Sequence, residues 1–175
     1  MVIDTSRVVA SRTERAWGVL DSVLDPEVPV VSVRDLGIVR DVVEEGIGLT
    51  VIVTPTYSGC PATEVIAESI VTALDVAGLG PTTVRMQRAP AWTSDWISAS
   101  GRDQLRAYGI VPPGPADLSK GAPLRFVRGA AAAPLACPRC ESTNTERLAA
   151  FGATACKALW RCKACGEPFE HFKPI

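Results

Sequence analysis

Two cysteine pairs, Cys137-Pro-Arg-Cys140 and Cys162-Lys-Ala-Cys165, restrict what this chain of 175 residues can fold into more than any other feature. Each pair forms a turn that can aim both sulfurs at one centre, and two such turns supply a tetrahedral four-sulfur site. Zinc or iron fills such a site, with zinc–sulfur bonds of about 2.3 Å. The segment Glu141–Arg161 between the pairs is long enough for a β-hairpin. Residues 135–175 therefore read as a zinc-ribbon β-hairpin domain. Cys137, Cys140, Cys162 and Cys165 are its expected ligands, around one structural zinc, with iron as the alternative. Gly166 follows the second pair, where tolerance of positive φ helps the chain turn around a metal. Glu141 holds the equivalent place after the first pair and suits it less. Cys156 lies between the pairs and outside their pairing. It reads as a core residue of the hairpin, with a spare ligand as the alternative.

Upstream, the patterning predicts an α+β domain over 5–110, a small sheet with helices on one face. A 3.6-residue apolar stripe predicts a helix over Thr5–Asp25, which Asp25-Pro26-Glu27-Val28-Pro29 ends because proline denies donors. Val39–Val43 and Ile47–Thr54 read as an antiparallel hairpin turning at Gly46. After a polar loop, Pro61 opens a helix whose expected buried stripe is Val65, Ile66, Ile70, Val71, Leu74 and Ala77, stopped by Gly78. A third strand over Thr82–Gln87 and a helix over Ser98–Tyr108 complete the order α-β-β-α-β-α. Val111-Pro112-Pro113-Gly114-Pro115 begins a linker, 111–134, that includes the alanine run 130–133.

Cys60 is the second candidate site. It falls at or just before the N-terminus of the helix opened by Pro61, where free N–H groups and the helix dipole favour a thiolate. A small buried hydrophobe capping a turn is the alternative. Asp25 and Glu27 flank Pro26, and carboxylates there can bind a hard cation or simply cap a turn. His171, the one histidine, has no placed partner and reads as structural beside Phe169 and Phe172. No nucleotide-binding glycine loop, zinc-protease helix motif or serine nucleophile elbow is present, and no complete catalytic set can be assembled. A formal charge of -1 argues against a general nucleic-acid binder. The absence of any long apolar run and of a signal-like segment makes the cytoplasm the expected compartment, with thiols kept reduced.

The residues Asp25-Pro26-Glu27, Asp35-Leu36-Gly37-Ile38-Val39, Thr54 and Gly59-Cys60-Pro61, in that order, resemble the MIP18-like (DUF59) family over about 14–91. That resemblance implies a factor in iron–sulfur-cluster assembly or metal-centre maturation. Cys60 is then the thiol that holds iron or a cluster transiently, and Asp25 and Glu27 are the supporting acidic motif. With the added ribbon, Ala89-Pro90-Ala91-Trp92-Thr93-Ser94-Asp95-Trp96 and Phe151-Gly152-Ala153-Thr154-Ala155-Cys156-Lys157-Ala158-Leu159 are similar to the PaaD family over nearly the whole chain. PaaD is the D component of phenylacetyl-CoA epoxygenase systems in phenylacetate catabolism. The resemblance implies an accessory that is not itself the oxygenase. Its partners would be metalloprotein clients of that system, the di-iron oxygenase subunit or the iron–sulfur flavoprotein reductase. The alternative is a non-catalytic, partner-binding subunit of the complex. Neither membrane nor nucleic-acid partners are expected, and a homo-oligomer stays open.

Overall fold

The computed structural model describes residues 10–57, 59–114 and 135–175. Helix α1 spans Arg12–Leu20. Its start is fixed by a capping box, in which the Ser11 hydroxyl accepts from the Glu14 N–H while the Glu14 carboxylate accepts from the Ser11 N–H. The helix is shorter than the apolar spacing predicts. It closes at Leu20, and Leu24 instead bridges Ser32, so that Val23, Val28, Val31 and Val33 enter the core from irregular backbone. Residues 1–9, where the expected helix begins, lie outside the described residues.

Strands β1 (Val39–Glu45) and β2 (Gly48–Val53) form the expected antiparallel hairpin, with Gly46 in the left-handed region at φ 61°. Helix α2 (Ala62–Val76) then crosses over to β3 (Thr82–Met86), which pairs parallel to β2. The sheet order is β1-β2-β3. Leu49, Val51 and Val53 alternate onto the face that α1 and α2 cover. The buried stripe of α2 is Ala62, Ile66, Ile70 and Leu74. Val65 is exposed, because residues four apart hold one face and position 65 turns away from it.

A single 3₁₀ turn, Ser94–Trp96, leads into α3 (Ala99–Ala107) and a short strand β4 (Ile110–Val111). Trp92 precedes this turn and Trp96 ends it. Trp92 is buried, and Trp96 carries the Arg40 guanidinium 3.6 Å above its ring. The linker expected over 111–134 lies outside the described residues from 115 onward.

The ribbon strands β5 (Thr145–Ala149), β6 (Lys157–Cys162) and β7 (Pro168–Phe172) pair antiparallel. Strand β4 adds to β7 in parallel, giving a sheet of order β4-β7-β6-β5. The ribbon is thus docked on the upstream unit as well as tethered to it. Phe172 packs on Trp92 at 5.9 Å between ring centroids, and the Ile175 carbonyl accepts from the Ser94 N–H at 3.0 Å. Cys156 and Phe172 belong to the core of the upstream unit. Cys137, Ala158, Trp160, Cys162 and Phe169 form the ribbon's own cluster. Among the described residues no helix is long and apolar enough to cross a membrane.

Candidate metal centre and thiol site

The four ribbon cysteines converge. Their sulfurs all lie within 4.8 Å of one another, with Cys137–Cys165 at 3.8 Å and Cys140–Cys162 at 3.5 Å. A tetrahedron with bonds of about 2.3 Å has sulfur–sulfur edges of about 3.8 Å, so this set fits one metal ion. Both turns close alike. The Glu141 N–H donates to the Cys137 carbonyl at 2.9 Å and the Gly166 N–H to that of Cys162 at 3.0 Å. Both closing residues are left-handed, Glu141 at φ 61° and Gly166 at 81°. Glutamate there costs roughly 1 kcal/mol, which metal binding offsets. The N–H groups of Cys165 and Ala164 bring the Cys162 thiol down to about 7. At Cys140 the Ser142 N–H acts in the same sense, but the Cys165 and Cys162 sulfurs outweigh it and the thiol is pushed up to about 12. Four crowded thiols share protons, and a metal ion displaces them.

The second site gathers around Cys60. Pro61 is the N-cap of α2 rather than its first helical residue, so Cys60 stands one position further out than expected. Its carbonyl accepts from the Thr63 N–H at 3.2 Å, and the residue is half-buried. An open groove of about 650 Å³ runs past Cys60, Tyr57, Thr54, Met86, Arg88 and Trp92. The Thr54 hydroxyl is buried and has no hydrogen-bond partner among the described residues. Behind Cys60 a small cavity of about 20 Å³, room for about one water molecule, is bordered by Asp25, Glu27, Thr56, Cys60, Cys156 and Phe172.

Asp25 makes the Asp-Pro-Glu segment a turn. Its Oδ1 accepts from the N–H groups of Glu27 at 2.8 Å and Val28 at 2.9 Å. Burial pushes its carboxyl up, against the pull of those two bonds and of Lys157. Glu27 has no side-chain hydrogen bond or ion pair among the described residues, and burial followed by the charge of Asp25 raises its carboxyl. Across the cavity the ribbon supplies Cys156, buried beside the Thr154 hydroxyl at 3.0 Å, with burial pushing its thiol up. Lys157 is buried next to it and pairs with Glu170 at 2.7 Å. The Tyr57 hydroxyl is raised by burial and then by the charges of Cys60, Glu27 and Cys156, so it sits within electrostatic reach of all three.

In sequence Cys60 and the pair Asp25 and Glu27 are separate candidates that only the family resemblance links, and in the structure all three line one cavity. Cys156 reads as part of the ribbon's hairpin core. It instead packs into the upstream core, because β6 begins where the ribbon meets that unit. Tyr57 and Lys157 escape sequence reasoning, although a lysine directly after a cysteine at a strand start is a signal worth reading. His171 meets the Trp160 ring edge-on, with 6.4 Å between ring centroids.

Residues 13–86 match the iron-sulfur cluster assembly protein family, and residues 122–173 match the PaaD zinc beta ribbon domain. Fold and site thus define an iron–sulfur-assembly-type domain carrying a PaaD-type zinc ribbon. Over 168 residues, 96% of each chain, the sequence is 42% identical to the D component of the putative 1,2-phenylacetyl-CoA epoxidase of Escherichia coli. The chain belongs to that PaaD family. Over 87 residues, 49% of this chain and 84% of the relative, it is 37% identical to the Fe-S protein maturation auxiliary factor YitW of Bacillus subtilis. The crystal structure of a DUF59 domain of unknown function from Bacillus anthracis resembles 54% of this chain and 91% of its own, at 26% identity and a TM-score of 0.49.

Proposed function

We propose that this protein is a maturation accessory of a phenylacetyl-CoA epoxidase system, working in the cytoplasm. In this reading Cys60 receives iron or an iron–sulfur cluster and passes it to a metalloprotein client, the di-iron oxygenase subunit or the iron–sulfur flavoprotein reductase. The observation that carries the reading is the setting of Cys60. One thiol, half-buried ahead of a helix, opens on a groove that also holds the Thr54 hydroxyl, which has no hydrogen-bond partner among the described residues. Transfer by ligand exchange needs such an open thiol, because the cargo must leave as readily as it arrives. The ribbon site is of the opposite kind. Its four sulfurs complete a coordination sphere and leave no open position, which suits a structural ion, and zinc is the ion we assign to it.

Asp25 and Glu27 support the thiol from behind: Asp25 fixes the turn and Glu27 presents a carboxylate to the cavity. The reading assigns no catalytic residue. It is supported by the similarity to the D component of an epoxidase and to an iron–sulfur maturation factor. The test is the iron content of the oxygenase and the reductase isolated from cells that carry only the Cys60→Ser variant. The expected result is a client short of iron and epoxidation lost. Clients with full iron, in cells that have nonetheless lost epoxidation, would instead mark a non-catalytic, partner-binding subunit.

A further inference from the structure

The segment Ala153–Lys157 has no part in the ribbon metal site, yet it reaches into the upstream unit. There it borders the cavity that Cys60, Asp25 and Glu27 also line. Two thiols from distant parts of the chain therefore face one small space. Cys156 owes its position to neither of the two knuckles. Its carbonyl is held by the Lys173 N–H at 2.9 Å, and its neighbour Lys157 is pinned by Glu170 at 2.7 Å. The Cys156 backbone is thus tied to the residue that follows β7, and its sulfur meets the Thr154 hydroxyl at 3.0 Å. Cys60, on the other side, lies between the cavity and the open groove. The Glu27 carboxylate borders the same space without a hydrogen bond or ion pair among the described residues, within reach of the Lys157 charge, whereas that of Asp25 accepts from two backbone N–H groups.

We propose that Cys156 is the second thiol of a composite metal-carrying site, in which Cys60, Cys156 and the Glu27 carboxylate hold one divalent ion of iron's class. The inference rests on the reading of Cys60 as a cargo thiol and extends it across the contact between the two units. Two sulfurs and one oxygen suit a borderline ion such as ferrous iron better than a hard one such as magnesium. The cavity of about 20 Å³ has room for a single ion and excludes a cluster. Among the described residues only the ribbon cysteines have three or more donor atoms within 4.8 Å of one another, so the composite ligands must close on the ion as it binds. Cys60, which lines both the cavity and the groove, is the donor that would turn inward on binding. Three protein donors leave a fourth position open towards the groove, which is where a client's ligand would enter. Binding displaces the thiol protons to solvent and changes no oxidation state.

Cobalt(II) serves as the probe, added under anaerobic conditions to the full chain with its ribbon already loaded with zinc. Cobalt K-edge X-ray absorption on the wild-type protein should count two sulfur ligands per cobalt, with zinc retained. One sulfur, no bound cobalt, or four sulfurs with zinc released would each overturn the proposal. Cys156→Ser and Cys60→Ser should each leave one sulfur and weaken cobalt binding by about tenfold or more. Glu27→Gln should weaken binding with both sulfurs retained. Two outcomes separate the composite site from the maturation reading. If Cys156→Ser binds cobalt as the wild type does while Cys60→Ser starves the client of iron in cells, the composite site falls and the maturation reading stands. If cobalt binds through both thiols but Cys60→Ser leaves the client fully metallated, the site stands and the maturation reading falls.

Discussion

Gly37 sits in the left-handed region at φ 69°, and a methyl group there would meet the Cβ and carbonyl oxygen of Trp96 at 2.7 Å. The Asp35–Val39 motif grips the segment that follows β3. The Asp35 carbonyl accepts from the Ser98 N–H at 2.8 Å, its carboxylate accepts from the Ser98 hydroxyl, and the Leu36 carbonyl accepts from the Trp92 indole N–H at 3.0 Å. Trp92 in turn carries Phe172 of the ribbon. Gly37→Ala combines a left-handed alanine, about 1 kcal/mol, with overpacking of about 1–3 kcal/mol. Urea unfolding of the zinc-loaded variant should show a midpoint lowered by the equivalent of about 2–4 kcal/mol, whereas an unshifted midpoint would mean that Trp96 is not seated on this turn. The motif is legible in the sequence as a pattern. Its physical work is not, because the partners Trp92, Trp96 and Ser98 lie more than 50 residues downstream of it and nothing local points to them.

Strand β6 joins the two sites. It begins at Lys157, directly after Cys156, and ends at Cys162, a distance of about 17 Å for an extended strand. Loss of the ribbon metal therefore loosens the strand that seats Cys156. In the zinc-loaded protein, alkylation at neutral pH should label Cys60 first and leave Cys156 protected. After chelation of the ribbon metal, mass spectrometry should find Cys156 labelled together with the four ribbon cysteines. Protection of Cys156 that survives chelation would show that the upstream core holds it without the strand. Periodicity reveals the three helices and β1–β3 of the upstream unit in order, misses the 3₁₀ turn Ser94–Trp96 and the two-residue β4 at the start of the expected linker, and fails at the element edges. Apolar spacing runs on through Val23 and Leu24, so the sequence suggests a longer α1. Asp21 and Ser22 turn after Leu20 has closed α1, Leu24 bridges Ser32, and Val23 reaches the core from irregular backbone between them.

At the scale of the whole molecule, assembly-type unit and ribbon share a core, with Phe172 and Cys156 buried in the upstream cluster and β4 added to the ribbon sheet. The sequence shows the two halves separately, through Cys-x-x-Cys spacing at one end and helix–strand patterning at the other. It hides the contact between them, because contacts across a long connection leave no periodic trace. That contact sets the character of the candidate site: an open thiol at Cys60, a buried thiol at Cys156, and a groove leading outward. In the proposed reading such a site takes and releases a metal. The single histidine of the chain is one fewer than the paired Glu-x-x-His motifs of a ferritin-like di-iron bundle use. The central claim is that the protein acts before turnover and not during it. It is tested most directly by the epoxidation rate of a purified, fully metallated oxygenase and reductase, measured with and without this protein. The expected result is the same rate in both cases. A rate that rises with this protein and saturates at one copy per oxygenase would contradict the claim and make it a working part of the complex.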